Sequence, residues 1–99
     1  MAIGSNLPWF HWNYASITAN APQASGVYAI FNGQNWIYVG ESGDIRARLL
    51  QHLNGDIPCI IQNAPTGFQF ELVAGQPQRV ARQNQLIVAL NPICNQRLG

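Results

Sequence analysis

The chain has 99 residues, of which 47% are hydrophobic and only 9% are charged, and its formal net charge is +1. This length gives one small domain with a single core, and the near-neutral charge gives no reason by itself to expect nucleic acid. No run of about 18 apolar residues predicts a membrane span, and the first residues lack a signal-peptide pattern. We therefore expect a soluble cytoplasmic protein without a membrane partner.

The charged residues and the cysteines add two weaker indications. All five cations are arginines that follow residue 45, and they form either a modest basic side suited to phosphate or scattered solvated charges. Cys59 and Cys94 lack the Cys-x-x-Cys spacing of a zinc or redox site. We expect two buried thiols in a reducing compartment, in keeping with a cytoplasmic location.

The first 25 residues contain an aromatic cluster at residues 9–14, Trp-Phe-His-Trp-Asn-Tyr. So much apolar area requires a partner surface. That surface is one face of the domain's own sheet, a second copy of the chain, or the bases of a nucleic acid on which the rings stack. We treat residues 1–25 as an N-terminal segment that packs on a domain formed by residues 26–99.

Two runs rich in β-branched and aromatic residues, 26–31 and 36–40, flank an Asn-Gly pair and predict a β-hairpin. Tyr28 and Tyr38 share a face only if the two residue numbers in each cross-strand pair have an even sum. A three-residue loop that ends at a left-handed Gly33 satisfies this condition, as does a bulge of the same effect. A two-residue turn sends the tyrosines to opposite faces. The alternative interpretation makes both tyrosines ordinary core residues.

A helix is predicted after Gly40, which allows a sharp exit from the strand, with Ser42 or Asp44 as the N-cap. Arg48 and His52 lie one turn apart on the flank of its apolar stripe. An arginine there can neutralise a phosphate oxygen, and a histidine can carry a proton near neutral pH. The alternative is a pair of ordinary helix-surface residues. The apolar stripe of this helix consists of Ile45, Leu49 and Leu53, which recur at every fourth position.

The remaining elements complete an α+β fold. The helix ends at Gly55, residues 56–64 hold a short helical turn, residues 67–73 alternate as a third strand, and residues 78–90 form a second helix that Pro92 ends. We predict a small three-stranded antiparallel sheet flanked by helices. The alternation of the third strand points Phe68, Phe70 and Leu72 inward and Gln69 and Glu71 outward. Glu71 is therefore a poor candidate for a site residue.

Gln83 is the main anomaly of the second helix. On a helical wheel it falls in the middle of the apolar residues, where an unpaired amide costs about 1 to 3 kcal/mol. We therefore expect a polar partner opposite Gln83.

The chain resembles the GIY-YIG nuclease superfamily in two motifs, Gly26-Val27-Tyr28 and Tyr38-Val39-Gly40, and in the Arg48 and His52 that follow them. The stretch Leu-Ile-Val-Ala-Leu-Asn-Pro-Ile-Cys-Asn at residues 86–95 is similar to the closing pattern of that family. The resemblance implies a metal-dependent DNA endonuclease, with one divalent ion, Mg²⁺ or Mn²⁺, held by a helix glutamate.

The resemblance also implies a role for each matched residue. Tyr28 is the general base that acts on the attacking water, while Tyr38, Arg48 and His52 position the phosphate. Asn95 braces the site, and Gly40 supports it. The position of the metal-binding glutamate is occupied by Gln83.

Three explanations of this glutamine are open: a deliberate substitution that traps substrate, a catalytically dead relative that binds DNA, or weak cleavage with metal held through Gln83 and water. Glu41 is the one acid expected to reach the cleft. The alternative function is a non-catalytic module that binds nucleic acid or protein through residues 9–14, and a third possibility is an accidental match. DNA binding should be weak and salt-dependent, so a homodimer or a partner protein is expected to assist.

Overall fold

The computed structural model describes residues 7–95, which form a four-stranded antiparallel sheet with helices on both faces. The strands lie in the order β1-β4-β2-β3. The strands are β1 (Phe10–His11), β2 (Gly26–Phe31), β3 (Trp36–Ser42) and β4 (Gly67–Leu72). The helices are α1 (Tyr14–Asn20), α2 (Ile45–Leu53), α3 (Pro58–Gln62) and α4 (Gln76–Leu90), followed by a 3-10 turn at Ile93–Asn95.

The sheet has one strand more than the sequence predicts. Phe10 pairs with Phe68 and His11 with Gly67, so the aromatic N-terminal segment adds an edge strand to β4. Two residues are too few for an alternating pattern to appear, so the sequence gives no signal for this strand. Residues 1–6 of the predicted N-terminal segment and 96–99 of the predicted domain lie outside the described residues. The division of the chain at residue 25 stays a prediction.

The β2–β3 hairpin places the two motif tyrosines on one face. Tyr28 pairs with Gly40 and Ile30 with Tyr38, and a bulge follows before Phe31 pairs with Trp36. Of the two predicted ways to reach the even register, the bulge is the one observed, and the three-residue loop with a left-handed Gly33 does not form. The chain turns instead through residues 32–35, where the Asn32 side chain accepts hydrogen bonds from two backbone N–H groups of the turn.

Both faces of the sheet are covered, each by its own apolar cluster. On one face Tyr28 and Ile30 pack with residues of α1, α2 and α3, and on the other Val27, Ala29 and Val39 pack with Leu86 of α4. Gln69 and Glu71 of β4 are predicted to point outward to solvent. Gln69 is instead buried, and Glu71 pairs with Arg82 of α4. Leu72, predicted to point inward, is exposed.

The α2 helix begins and ends as its sequence indicates. The Asp44 side chain accepts a hydrogen bond from the Ala47 N–H at 3.0 Å and caps the first turn. The helix ends at Leu53, and Gly55 follows with a φ of 88°, a left-handed conformation that favours glycine. This turn redirects the chain before α3.

The cysteines form a disulfide instead of the two predicted thiols. Cys59 in α3 is bonded to Cys94 in the 3-10 turn, across a sequence separation of 35 residues. Because the sequence spacing fits no zinc or redox motif, only the folded arrangement reveals this pairing. The cysteines therefore no longer support the prediction of a reducing compartment. Within residues 7–95, every helix is too short or too polar to cross a lipid bilayer.

Candidate active site

The site is built on the sheet face that carries Tyr28 and Tyr38. Their ring centroids lie 6.3 Å apart, and the His52 ring of α2 lies 5.6 Å from Tyr28 and 5.1 Å from Tyr38. Tyr28 Oη and His52 Nε2 are 2.7 Å apart, which is a hydrogen bond. His52 has no exposed surface, so it lies beneath the site and not at the rim of the helix, where the helical wheel places it.

Asp56 joins His52 to Arg48. Its Oδ1 lies 2.9 Å from His52 Nδ1, and its Oδ2 accepts a 2.6 Å hydrogen bond from Arg48 Nη1. Arg48 Nη1 also donates to Gln51 Oε1 at 2.6 Å, so the two hydrogens on Nη1 are both used. The Nε and Nη2 edge of the guanidinium has no hydrogen bond to any residue from 7 to 95, and this edge suits a phosphate oxygen.

Burial controls protonation in this group. It raises the pKa of Tyr28 well above its usual 10.0, and the nearby Tyr38 adds to this shift. Burial lowers the pKa of His52 below its usual 6.5, although the hydrogen bond to Asp56 opposes the shift. Burial alone would raise the pKa of Asp56, but hydrogen bonds from His52 and Arg48 hold it below its usual 3.8. At neutral pH the group therefore contains a phenol, a neutral imidazole and a carboxylate.

Gly40 and Asn95 hold strand β3 in place beside the tyrosines. A Cβ on Gly40 would collide with the Tyr28 hydroxyl and lie 3.0 Å from the Tyr38 ring, so a larger residue cannot occupy this position unchanged. The Asn95 side chain accepts a hydrogen bond from the Val39 N–H at 2.7 Å and donates to the Val39 carbonyl at 2.9 Å. Asn95 thereby satisfies the backbone between Tyr38 and Gly40 on the open edge of the sheet.

Gln83 is placed differently from the other predicted site residues. It lies on α4, which packs on the opposite face of the sheet and against the edge strand β3. The amide is partly exposed and has no hydrogen-bond partner among the described residues, so the expected polar partner within the protein is absent there. Water can satisfy a partly exposed amide, which removes the expected cost.

Glu41, the acid expected to reach the cleft, also lies on the α4 face. Its register partner is Val27, and its Oε1 accepts a 2.9 Å hydrogen bond from Arg79 Nε. The prediction failed because residues 40 and 41 of a strand point to opposite faces. Arg79 and Gln83 are one helical turn apart, so Glu41 is directed toward the helix and away from Tyr28.

The four acidic side chains of the protein all have partners. Glu41 pairs with Arg79, Glu71 with Arg82, and Asp56 with Arg48 and His52, while Asp44 caps α2. Within residues 7–95, no three acidic, histidine or cysteine side chains form a group that could hold a metal ion. A magnesium site normally uses at least one carboxylate. The position that the family resemblance assigns to the metal-binding glutamate holds the neutral amide of Gln83, so the carboxylate ligand that the resemblance implies is missing there.

Asp56 is the residue of this site that the sequence did not predict. It follows His52 by four positions, which is the spacing of helical neighbours, but α2 has already ended at Leu53. The sequence could have indicated Asp56 only if the glycine at position 55 had been interpreted as a turn back toward the helix. Such a turn brings the first acid after it close to Arg48 and His52.

Comparison with known proteins places this geometry in a family. A family model described as the GIY-YIG catalytic domain matches residues 24–81, more than half of the chain and short of both Gln83 and Asn95. No curated protein matches the chain.

Among solved structures, the chain is similar to the GIY-YIG N-terminal endonuclease domain of UvrC from Thermotoga maritima. A tyrosine-to-phenylalanine point mutant bound to its catalytic divalent cation has 23% identity and a TM-score of 0.70, with 82% of this chain and 96% of that chain covered. An asparagine-to-alanine mutant of the same domain, bound to its catalytic divalent cation, has 22% identity and a TM-score of 0.70, with 82% of this chain and 96% of that chain covered. The magnesium-bound domain has 22% identity and a TM-score of 0.70, with 81% of this chain and 96% of that chain covered. These likenesses show a shared α+β fold, and the family model shows that this chain belongs to the GIY-YIG family.

Proposed function

We propose that this domain acts on DNA phosphodiester bonds through Tyr28, Tyr38, Arg48 and His52, and that cleavage is impaired because Gln83 stands where the family has its metal-binding glutamate. The observation that carries the proposal is the 2.7 Å hydrogen bond between Tyr28 and His52, with Tyr38 and Arg48 beside it. Buried phenol and imidazole groups in contact, with a cation adjacent, are suited to moving a proton near a phosphate.

Each residue has a chemical task in this proposal. The free edge of Arg48 binds a phosphate oxygen and offsets the charge that develops on it. Tyr38 is half-buried on the same face and positions the phosphate. Tyr28 accepts a proton from the attacking water, and His52 supports it. Asn95 and Gly40 maintain the strand on which Tyr38 is carried.

A divalent cation, Mg²⁺ or Mn²⁺, is expected to bind weakly or not at all. The amide oxygen of Gln83 is a neutral ligand, and the four carboxylates of the chain are already paired or capping a helix. The cation would otherwise supply charge stabilisation worth several kcal/mol in the transition state.

A second candidate function is a non-catalytic module that binds DNA or a protein on the same fold. The pairing of all the acids favours it, because a binding module needs no free metal ligand. Three of the arginines, Arg48, Arg79 and Arg82, are also paired, so affinity for DNA should be weak and strongly dependent on salt. A homodimer or a partner protein would increase the contact surface.

Restoration of the carboxylate distinguishes the two functions. We expect the Gln83→Glu variant to nick supercoiled plasmid DNA in the presence of Mg²⁺ or Mn²⁺, at least about 100-fold faster than the parent, which corresponds to about 2.7 kcal/mol. The matched control is Gln85→Glu, which adds the same charge to the same helix and should stay inactive. Arg48→Ala in the Gln83→Glu background should abolish nicking. DNA binding without cleavage by Gln83→Glu would instead establish the binding module.

A further inference from the structure

His52 lies in the middle of a chain of hydrogen bonds that runs from the core to the surface. Tyr28 is only 1% exposed and His52 is not exposed at all, whereas the Asp56 side chain is 33% exposed. Tyr28 Oη lies 2.7 Å from His52 Nε2, and His52 Nδ1 lies 2.9 Å from Asp56 Oδ1. A proton that leaves the buried phenol therefore has a hydrogen-bonded route toward solvent.

The carboxylate decides the direction of every hydrogen bond in this chain. An ionised carboxylate has acceptors only, so His52 Nδ1 must carry the hydrogen that lies between the two groups. A neutral imidazole has one N–H group, which leaves Nε2 as an acceptor. The hydrogen between His52 and Tyr28 consequently belongs to the tyrosine, and lone pairs of the Tyr28 oxygen remain available to accept another proton.

We propose that Asp56 is a positioning residue that fixes this direction, so that Tyr28 can receive a proton from the attacking water while it passes its own proton to His52. The inference rests on the proposed function for its catalytic meaning, although the direction of the hydrogen bonds can be measured independently. Without Asp56 the opposite imidazole tautomer is no longer disfavoured, and with its hydrogen on Nε2 the imidazole offers Tyr28 no acceptor for the hydroxyl proton.

Every proton in the cleavage step has a donor and an acceptor. The water oxygen forms a bond to phosphorus while the bond from phosphorus to one ester oxygen breaks. The proton of the water passes to Tyr28 Oη as the hydroxyl proton of Tyr28 passes to His52 Nε2, and Asp56 balances the charge of the resulting imidazolium. The leaving oxygen takes a proton from solvent. The imidazolium then returns its Nε2 proton to Tyr28 as Tyr28 releases the proton of the water to solvent, which restores the Nδ1–H tautomer. The products are a phosphomonoester and an alcohol.

Asp56 also ties the phosphate-binding arginine to the same chain of hydrogen bonds. Its second oxygen accepts from Arg48 Nη1 at 2.6 Å, so one carboxylate orients both the imidazole and the guanidinium. The charged and titratable groups that face His52 are Tyr28 from β2, Tyr38 from β3, and Arg48 and Asp56 from α2 and the turn after it. Of these four groups, Asp56 is the one that contacts Nδ1.

The test begins with the His52 tautomer in the unmodified protein, measured by ¹⁵N NMR of the imidazole at neutral pH. We expect the hydrogen on Nδ1, and a hydrogen on Nε2 would overturn the proposal whether or not the domain cleaves DNA. Asp56→Asn should shift the population toward Nε2–H because an amide can donate to Nδ1. The matched control is Glu71→Gln, which also removes a carboxylate paired with an arginine but on the other face of the sheet; it should leave the tautomer unchanged.

The catalytic part is measured in the Gln83→Glu background. There Asp56→Asn should lower kcat by about 100-fold or more, the usual contribution of positioned acid–base groups, while Glu71→Gln should not. A normal kcat with the tautomer reversed would refute the relay. If Gln83→Glu itself does not cleave, the proposed function fails, and the NMR result still decides the role of Asp56 toward His52.

Discussion

The disulfide between Cys59 and Cys94 should contribute a large part of the stability of this domain. It closes a loop of 35 residues, for which the loss of chain entropy in the unfolded state corresponds to about 4 kcal/mol. Domains of this size usually unfold with a total of about 5 to 15 kcal/mol. Reduction should therefore leave a folded protein with little margin, or none.

The assay is urea denaturation with and without a reducing agent, followed by tryptophan fluorescence. With a urea dependence of about 1.5 kcal/mol per M, the unfolding midpoint should fall by roughly 2 to 3 M when the bond is reduced. A Cys59→Ala, Cys94→Ala double variant is the control, since it should have the lower midpoint in both conditions.

The same perturbation should reach the candidate active site through the residue next to Cys94. Asn95 holds the N–H and carbonyl of Val39, between Tyr38 and Gly40. Hydrogen exchange of the Val39 amide should accelerate on reduction by more than the exchange of central-strand amides such as that of Ala29. Two thiols that react with a thiol reagent in the native protein, together with an unchanged urea midpoint, would refute this reasoning.

Three further predictions concern the site itself. Gly40→Ala should destabilise the domain by about 1 to 3 kcal/mol in urea denaturation, because the new methyl group collides with Tyr28, whereas Gly43→Ala enters open space and should change little. Stability should be retained above pH 6.5 and fall as pH drops below it, because the unfolded chain then takes up a proton that buried His52 resists; denaturation of His52→Gln across the same range should lack this component. Arg48→Ala should weaken DNA binding and reduce its salt dependence by about one released counterion in a fluorescence titration, while Arg82→Ala, on the other sheet face, should not.

The parts of the fold that could be predicted are those fixed by local chemistry. Val, Ile and aromatic residues around an Asn-Gly pair specify the hairpin, and Asp44 and Gly55 mark the ends of α2 with side-chain and backbone preferences that operate within one turn. Tyr28 and Tyr38 share a face because the numbers of paired residues have an even sum. This condition could be stated from the sequence, but the choice between a three-residue loop and a bulge could not.

The parts that could not be predicted depend on contacts between distant segments. From the sequence, Glu41 is expected in the cleft and Glu71 at the surface, but α4 covers the face on which both lie and supplies Arg79 and Arg82 as their partners. Cys59 and Cys94 look like isolated thiols until α3 and the 3-10 turn are brought together. In each case the sequence contains the residue type but not the partner, because the partner is chosen by tertiary packing.

Asp56 shows that the arrangement of Arg48 and His52 depends on the end of helix α2 as much as on the helix itself. The C-terminal end of a helix carries a partial negative charge, so an acid there is unfavourable unless cations or hydrogen-bond donors compensate. Gly55, with its φ of 88°, turns the chain so that the Asp56 N–H bonds the Gln51 carbonyl at 3.3 Å and the carboxylate returns to His52 and Arg48. Since Arg48 and His52 both lie on α2, a loss of this turn would leave them one helical turn apart but would remove the carboxylate that orients them both.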